Sequence, residues 1–166
     1  MSTSTEIRVR SALPGDADII CEFNLRLADE SEGRRPDPEV LRRGVLEALA
    51  RKDLCLYFVA EIAGRVVGQA MVTYEWSDWR AGMFWWYQSV YVDRDFRGRG
   101  VFHKISSHIM HLAKTTPGVC GLRLYVEEHN QRAIEVYRGM GLTPSGHVVY
   151  EWDWSGLGPI AGNPQA

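Results

Sequence analysis

The stretch that constrains this chain most runs from Gln88 to Ile105. A β-rich run, Phe84-Trp85-Trp86-Tyr87-Gln88-Ser89-Val90-Tyr91-Val92, leads through Asp93-Arg94-Asp95-Phe96 into Arg97-Gly98-Arg99-Gly100. A helix begins at once, its apolar stripe being Val101, Ile105, Ile109, Leu112 and Ala113. A helix start leaves backbone N–H groups without partners, and the aligned peptide dipoles make that end partly positive. Glycines remove side chains that would hold an anion away from those donors. Strand, glycine turn and helix start together make a phosphate cradle, strengthened by the charges of Arg97 and Arg99.

Two other phosphate loops are excluded. A Walker loop would end in Gly-Lys-Ser/Thr, whereas this chain has Gly100-Val101-Phe102. A dinucleotide loop would carry a third glycine at His103, and an acidic residue where Cys120 to Leu122 stand. The balance of 19 basic to 21 acidic residues, a net charge of −2, argues against a nucleic-acid partner. Cys21, Cys55 and Cys120 form no CxxC pair, and His103, His108 and His111 lack a spaced further ligand, so no metal is expected. The N-terminus lacks the basic and apolar regions of a signal peptide, and the longest apolar run, Leu54 to Ala60, is too short for a membrane span. The expectation is a soluble cytoplasmic protein with no membrane partner.

The rest of the chain reads as alternating elements. Glu6 to Arg10 is a short strand. Ile19, Ile20, Phe23 and Leu27 mark a helix to about Ala28, and Asp29 to Pro36 reads as an exposed loop. A helix follows from Pro38, then strands at Leu54–Ile62 and Val66–Trp76 joined by a tight turn at Ala63-Gly64-Arg65. In the aromatic strand, alternation puts Trp86, Gln88, Val90 and Val92 on one face and Trp85, Tyr87, Ser89 and Tyr91 on the other. Val119 to Val126 is a further strand, Asn130 caps a helix through Tyr137, and Gly146 to Trp154 is a last strand. Residues 1–155 read as one domain and 156–166 as a Gly/Pro-rich tail.

Two blocks resemble a known family. Arg97-Gly98-Arg99-Gly100-Val101, after Val90-Tyr91-Val92-Asp93, is similar to the acyl-CoA signature of the GNAT superfamily of N-acetyltransferases. Val126 to Leu142, containing Asn130-Gln131-Arg132-Ala133 and Tyr137-Arg138-Gly139-Met140-Gly141, is similar to that family's other common segment. The resemblance implies an α/β (α+β) fold: a mixed, mostly antiparallel central sheet with helices on both faces, splayed open at the acyl-CoA site. It implies acetyl-CoA as co-substrate, with backbone contacts to its pantetheine arm from Val90 and Val92. The amides of Arg97, Gly98, Arg99, Gly100, Val101, Phe102 and His103 would hold the pyrophosphate, with Asn130 approaching from the other side. Phe102 departs from the small residue usual at its position, so its ring must turn away from the phosphates.

Acetyl transfer to an alkylamine, pKa about 10.4, requires proton removal, stabilisation of an oxyanion and protonation of the leaving thiolate. The resemblance places Tyr137 as general acid, and the Val90 N–H is the simplest oxyanion donor. Where relatives acting on polyamines carry a catalytic Glu, this chain has Gln88, an amide that can only orient water or substrate; Glu75 is the candidate base, relaying through water. Trp76, Asp78 and Trp79, with Asp29 and Glu30, fall in regions that border the family's acceptor pocket, and aromatic faces with carboxylates suit a small cationic amine. No cysteine lies in either block, so the amine is expected to attack directly in a ternary complex. The alternative is an acyl-CoA-binding sensor or partner module without catalysis, supported by Phe102 and Gln88. The aromatic strands further suggest a homodimer.

Overall fold

A computed structural model describes residues 6–33 and 35–155, so the expected tail at 156–166 lies outside the described residues. The elements are β1 (Arg8–Ser11), α1 (Ala17–Leu27), α2 (Pro38–Ala50), β2 (Cys55–Ile62), β3 (Arg65–Ser77), β4 (Gly82–Val92), α3 (Val101–Thr115), β5 (Val119–Leu124) and α4 (Gln131–Gly139). The five strands form one sheet in the order β1-β2-β3-β4-β5, antiparallel through β4 and parallel between β4 and β5. This is the mixed, mostly antiparallel sheet with helices on both faces that the resemblance implied.

Local chemistry starts and stops the elements. Pro38 occupies the first turn of α2, where its missing N–H costs nothing, and the Asp37 carboxylate accepts from the Glu39 and Val40 amides, each at 2.9 Å. Ala63 (φ 50°) and Gly64 (φ 78°) make the tight β2–β3 turn, both in the left-handed region that suits the twist of paired strands. Arg10 on β1 donates to Asp16 at 2.7 and 3.0 Å and to Glu61 at 2.8 and 2.5 Å, tying the edge strand to the start of α1 and to β2.

Period-two strands and amphipathic helices produce a core on each side of the sheet. Phe58, Ala60, Ala70, Val72, Trp85 and Tyr87 pack against Val101, Ile105 and Ile109 of α3. On the other face Tyr57 and Val59 pack against Ala17 and Ile20 of α1 and Val45 of α2. The stripe expected for α3 is thus the buried one.

Three expectations need correction. Strict alternation along β4 fails at Ser89, where two residues oppose Ala70 alone: Gln69 pairs with Tyr91 and Met71 with Gln88. This bulge exchanges the faces. Val90 and Val92 join Trp85 and Tyr87 against the α3 side, while the Tyr91 ring lies 5.2 Å from Phe23 of α1. The expected loop after α1 begins as a helical continuation, Ala28–Glu32, closed by Gly33 at φ 61°. Gly146–Trp154 forms no strand among the described residues; Val148, Tyr150, Trp152 and Trp154 are exposed. A strand needs a partner edge as well as a pattern.

Candidate functional site

The β4–β5 ladder runs from Met83–Val119 to Tyr87–Leu124 and stops. From Gln88 to Val92, β4 is paired only with β3, leaving an open main-chain margin on its other side. That margin leads into the glycine turn. Gly98 (φ 75°) and Gly100 (φ 81°) adopt a backbone that residues with a Cβ reach only with strain. No atom lies within 4 Å of where either Cβ would stand, so the space before them is open. Gly100 caps α3 without a side chain, and its carbonyl accepts from the Lys104 amide at 3.0 Å. The amides of Val101, Phe102 and His103 therefore have no partner within the helix. Convergent donors, an open approach and nearby guanidinium groups fit a diphosphate, and the unpaired margin fits an extended amide-bearing arm.

The arginines are partly engaged by the protein itself. Arg97 donates through Nε to the Val92 carbonyl at 2.9 Å and through Nη2 to Glu30 at 2.7 Å, with its guanidinium 5.2 Å from the Tyr91 ring centre. Arg94 and the Tyr91 hydroxyl donate to the other Glu30 oxygen at 2.9 and 2.7 Å. Glu30 thus braces the loop from the end of α1. Burial pushes its carboxyl up, but the bonds from Tyr91 and Arg97 outweigh this and hold it below the usual glutamate range. Arg99 lies over Phe96 at 5.2 Å and has no ion pair among the described residues. Sequence reasoning missed Asp93 as the loop's anchor. It is 4% exposed and accepts from Arg65 at 2.8 Å and from the Asp95 amide at 3.2 Å. Its signal was an acidic residue directly at a strand end.

Phe102, on the first turn of α3, packs its ring edge-on against Tyr137 of α4, with centroids 5.8 Å apart and planes at 74°. This contact brings Tyr137 to the helix start, and burial raises its phenol above the usual value. Asn130 caps α4, its oxygen accepting from the Ala133 amide at 3.1 Å. His103 is exposed.

Toward the other end of β4, Glu75 accepts from Arg123 at 2.6 Å and from the Trp86 indole at 2.5 Å. Arg123 lies 3.8 Å above the Phe84 ring centre, and the Tyr125 ring lies 4.4 Å from that of Trp86, tilted by 31°. Arg123 was also missed, although a lone cation in the apolar run Val119–Leu124 is a signal in itself. Gln88 is half-buried on β4, two residues beyond Trp86 and on the same face. Trp76, Asp78 and Trp79 surround the β3–β4 turn, Trp79 being 90% exposed and its amide donating to Asp78 at 2.9 Å. At about 3.3 Å per residue, the length of β4 separates this turn from Glu30 and from Asp29 beside it. The two candidate acceptor groups do not come together in the described residues. Nor does any cluster of three or more metal-ligating side chains.

Comparison with known proteins gives one family. The model of the Acetyltransferase (GNAT) family matches residues 20–142. Over 76 residues the chain is 32% identical to the thialysine N-epsilon-acetyltransferase of Bos taurus, a match spanning 46% of this chain and 44% of that protein's length. The crystal structure of a possible acetyltransferase from Clostridium difficile 630 superposes with a TM-score of 0.83 at 39% identity, covering 89% of this chain and 97% of that one. A predicted acetyltransferase from Clostridium acetobutylicum, crystallised with acetyl-CoA, shares the fold at a TM-score of 0.71 and 17% identity over 88% of this chain and 96% of its own.

Proposed function

The chain belongs to the acetyltransferase (GNAT) family, and on that premise we propose that it is an N-acetyltransferase that moves an acetyl group from acetyl-CoA to a primary amine of a small cationic acceptor. The observation that carries the reading is the unpaired β4 margin from Gln88 to Val92, running directly into a glycine-opened helix start. Acetyl-CoA would supply the activated acetyl group as a thioester. Val90 and Val92 would hold its arm by main-chain bonds; the amides from Arg97 to His103, including the glycines at 98 and 100, would hold its diphosphate. Asn130 would close from the α4 side.

The remaining roles fall to this chain's own groups. The Val90 N–H would donate to the developing oxyanion. Tyr137 keeps its proton beyond neutral pH, because burial raises its phenol, and so suits protonation of the leaving thiolate. Glu75 would take the amine's proton through water; Arg123 and Trp86 each donate to one of its oxygens, so a well-ordered relay is required. Gln88 would orient water or acceptor. Trp76, Asp78 and Trp79 at one end of β4, or Asp29 and Glu30 at the other, are the acceptor candidates, and a relative named for acetylating thialysine at its ε-nitrogen supports an amine of this kind. Direct attack in a ternary complex is favoured, since the three free cysteines lie outside the loop and α4.

The reading takes residues 1–155 as one catalytic domain acting in the cytoplasm, without metal, nucleic acid or membrane, and 156–166 as a tail. No described helix is long and apolar enough to cross a membrane. It also includes a homodimer, supported by the outer edge of β5 and the exposed strand-like segment at Val148, Tyr150, Trp152 and Trp154. A second reading, binding of acyl-CoA without turnover, is favoured by Gln88 and by the engagement of Glu75 with Arg123. The test is release of free thiol from acetyl-CoA across an amine panel, with a thermal shift by CoA measured alongside. Thiol release is expected with at least one amine; a CoA shift without any release supports the sensor reading, and neither signal removes both.

A further inference from the structure

One buried amide sits where the mechanism has no use for it. Gln69 of β3 is fully buried, between the fully buried Gly68-flanking Val67 and Ala70. Its nitrogen donates to the Asn24 side-chain oxygen of α1 at 2.8 Å and to the Ser89 carbonyl at 3.1 Å. A carbonyl can only accept, so the atom facing Ser89 must be the nitrogen. Asn24 in turn donates to the Tyr57 hydroxyl at 3.2 Å. The chain of bonds joins α1, β2, β3 and β4 at one residue of β4. The Gln69 oxygen is the only buried side-chain polar atom among the described residues that lacks a partner. Burying an amide only half satisfied is costly, and an apolar residue would suit this layer better.

What the amide holds is the bulge. Ser89 has φ 49°, a left-handed backbone that a residue with a side chain adopts only when its surroundings impose it. The consequences for the open margin are specific. Successive residues of a strand direct their N–H and C=O groups to alternate sides, so one inserted residue exchanges which groups face each neighbour. The insertion follows Gln88, one residue beyond Tyr87, the last residue of β4 paired with β5. The bulge therefore decides which main-chain groups of Ser89 to Val92 face β3 and which face the gap.

We infer that Gln69 is a positioning residue for acyl transfer: through the Ser89 carbonyl it locks the bulge that presents the Val90 main chain to the open margin, and through Asn24 it couples that presentation to α1. The inference rests on the acetyltransferase reading, because the margin is useful only if an acyl-CoA arm lies along it. It differs from a merely structural role in what its loss disturbs. An apolar replacement fills the same layer, so the fold survives while the Ser89 carbonyl loses its donor.

The experiment compares Gln69→Leu with the unsubstituted protein by amide hydrogen exchange and by acetyl-CoA turnover. The variant is expected to melt within a few degrees of the parent, and to exchange the Ser89–Val92 amides on the order of tenfold faster while Met83–Tyr87 stay unchanged. Its kcat should fall on the order of tenfold or more, with KM for acetyl-CoA held within about threefold. Adding Ser89→Gly to Gln69→Leu should recover most of the lost kcat, because glycine adopts positive φ without support. Unchanged exchange at Ser89–Val92 in a folded variant overturns the inference. So does a kcat loss that Ser89→Gly fails to recover. A parent protein that neither binds CoA nor turns over removes the acetyltransferase reading instead, and the exchange measurement still decides whether Gln69 holds the bulge.

Discussion

The two halves of β4 obey different rules. From Met83 to Tyr87 the strand is paired on both sides, and at two glycines beside this ladder the packing leaves no room for a side chain. A Cβ on Gly82 would lie 2.9 Å from Cys120 and 3.1 Å from the Gly118 carbonyl, and one on Gly121 of β5 would lie 2.5 Å from the Phe84 ring. From Gln88 to Val92 the strand is paired on one side only, bulged at Ser89, and followed by two glycines with nothing near their Cβ positions. The same residue type serves close approach in one half and backbone freedom in the other. The paired half is where stability resides; the unpaired half keeps polar main chain available, which packing would otherwise consume.

Substitutions should separate these halves. The largest effect is expected for Trp85→Ala in the paired half. Trp85 is 4% exposed against α3, and its loss should cost about 3–5 kcal/mol in urea unfolding while the folded fraction still binds CoA. A variant that lost CoA affinity without losing stability would abolish the distinction. Tyr137→Phe, across the gap, should do the reverse: kcat falling about 100-fold, with CoA affinity and melting temperature unchanged. Burial raises this phenol, so any alkaline loss of kcat from Tyr137 in the unsubstituted protein should have its midpoint above the ordinary phenol value of about 10. A descending limb near pH 8 that vanishes in the Phe variant would contradict the direction of that shift.

Reading the chain recovered what local chemistry decides. The helix start after Gly100, the cap at Asn130, the turn at Ala63-Gly64 and the buried stripe of α3 each depend on residues a few positions apart. The bulge could not be read, because Ser89 carries no glycine-like signal and its conformation depends on Gln69, twenty positions away. From that one insertion the faces of Val90, Tyr91 and Val92 were assigned the wrong way round. Glu30 looked like a solvated acceptor ligand, and only the folded chain brings Arg97, 67 positions on, to its carboxylate. Arg123 was invisible as Glu75's partner for the same reason, at a separation of 48. Long-range ion pairs follow from topology, and topology is what a periodic pattern leaves open.

The contrast between the glycines gives a more moderate pair of effects. Gly121→Ala should destabilise by about 1–3 kcal/mol through overpacking on Phe84 and leave CoA affinity alone. Gly100→Val should cost about 1–2 kcal/mol from the left-handed backbone, and should also weaken CoA binding, since a branched side chain then stands over the helix-start amides. Calorimetric titration with CoA distinguishes them. Equal affinities for the two folded variants would mean that the turn does not hold the diphosphate.

The smallest effect tests whether the unpaired half is braced from outside. Glu30 is a partly buried carboxylate, 17% exposed at its side chain, facing two arginines that are more exposed than it is. Solvent screening therefore limits its contribution to about 0.5 kcal/mol. Its folded pKa is depressed, so that contribution is present above the unfolded glutamate value and is lost as pH falls through the folded one. Glu30→Gln should accordingly be slightly less stable than the parent at pH 7, with the difference closing below about pH 4. The same change frees Arg94 and Arg97, so CoA should bind more tightly at low ionic strength and the gain should fade with added salt. Tighter binding at low salt together with the pH-dependent loss of stability would place Glu30 as a brace that the anion competes with. Unaltered affinity at every salt concentration would show that Arg97 reaches the phosphates without leaving Glu30.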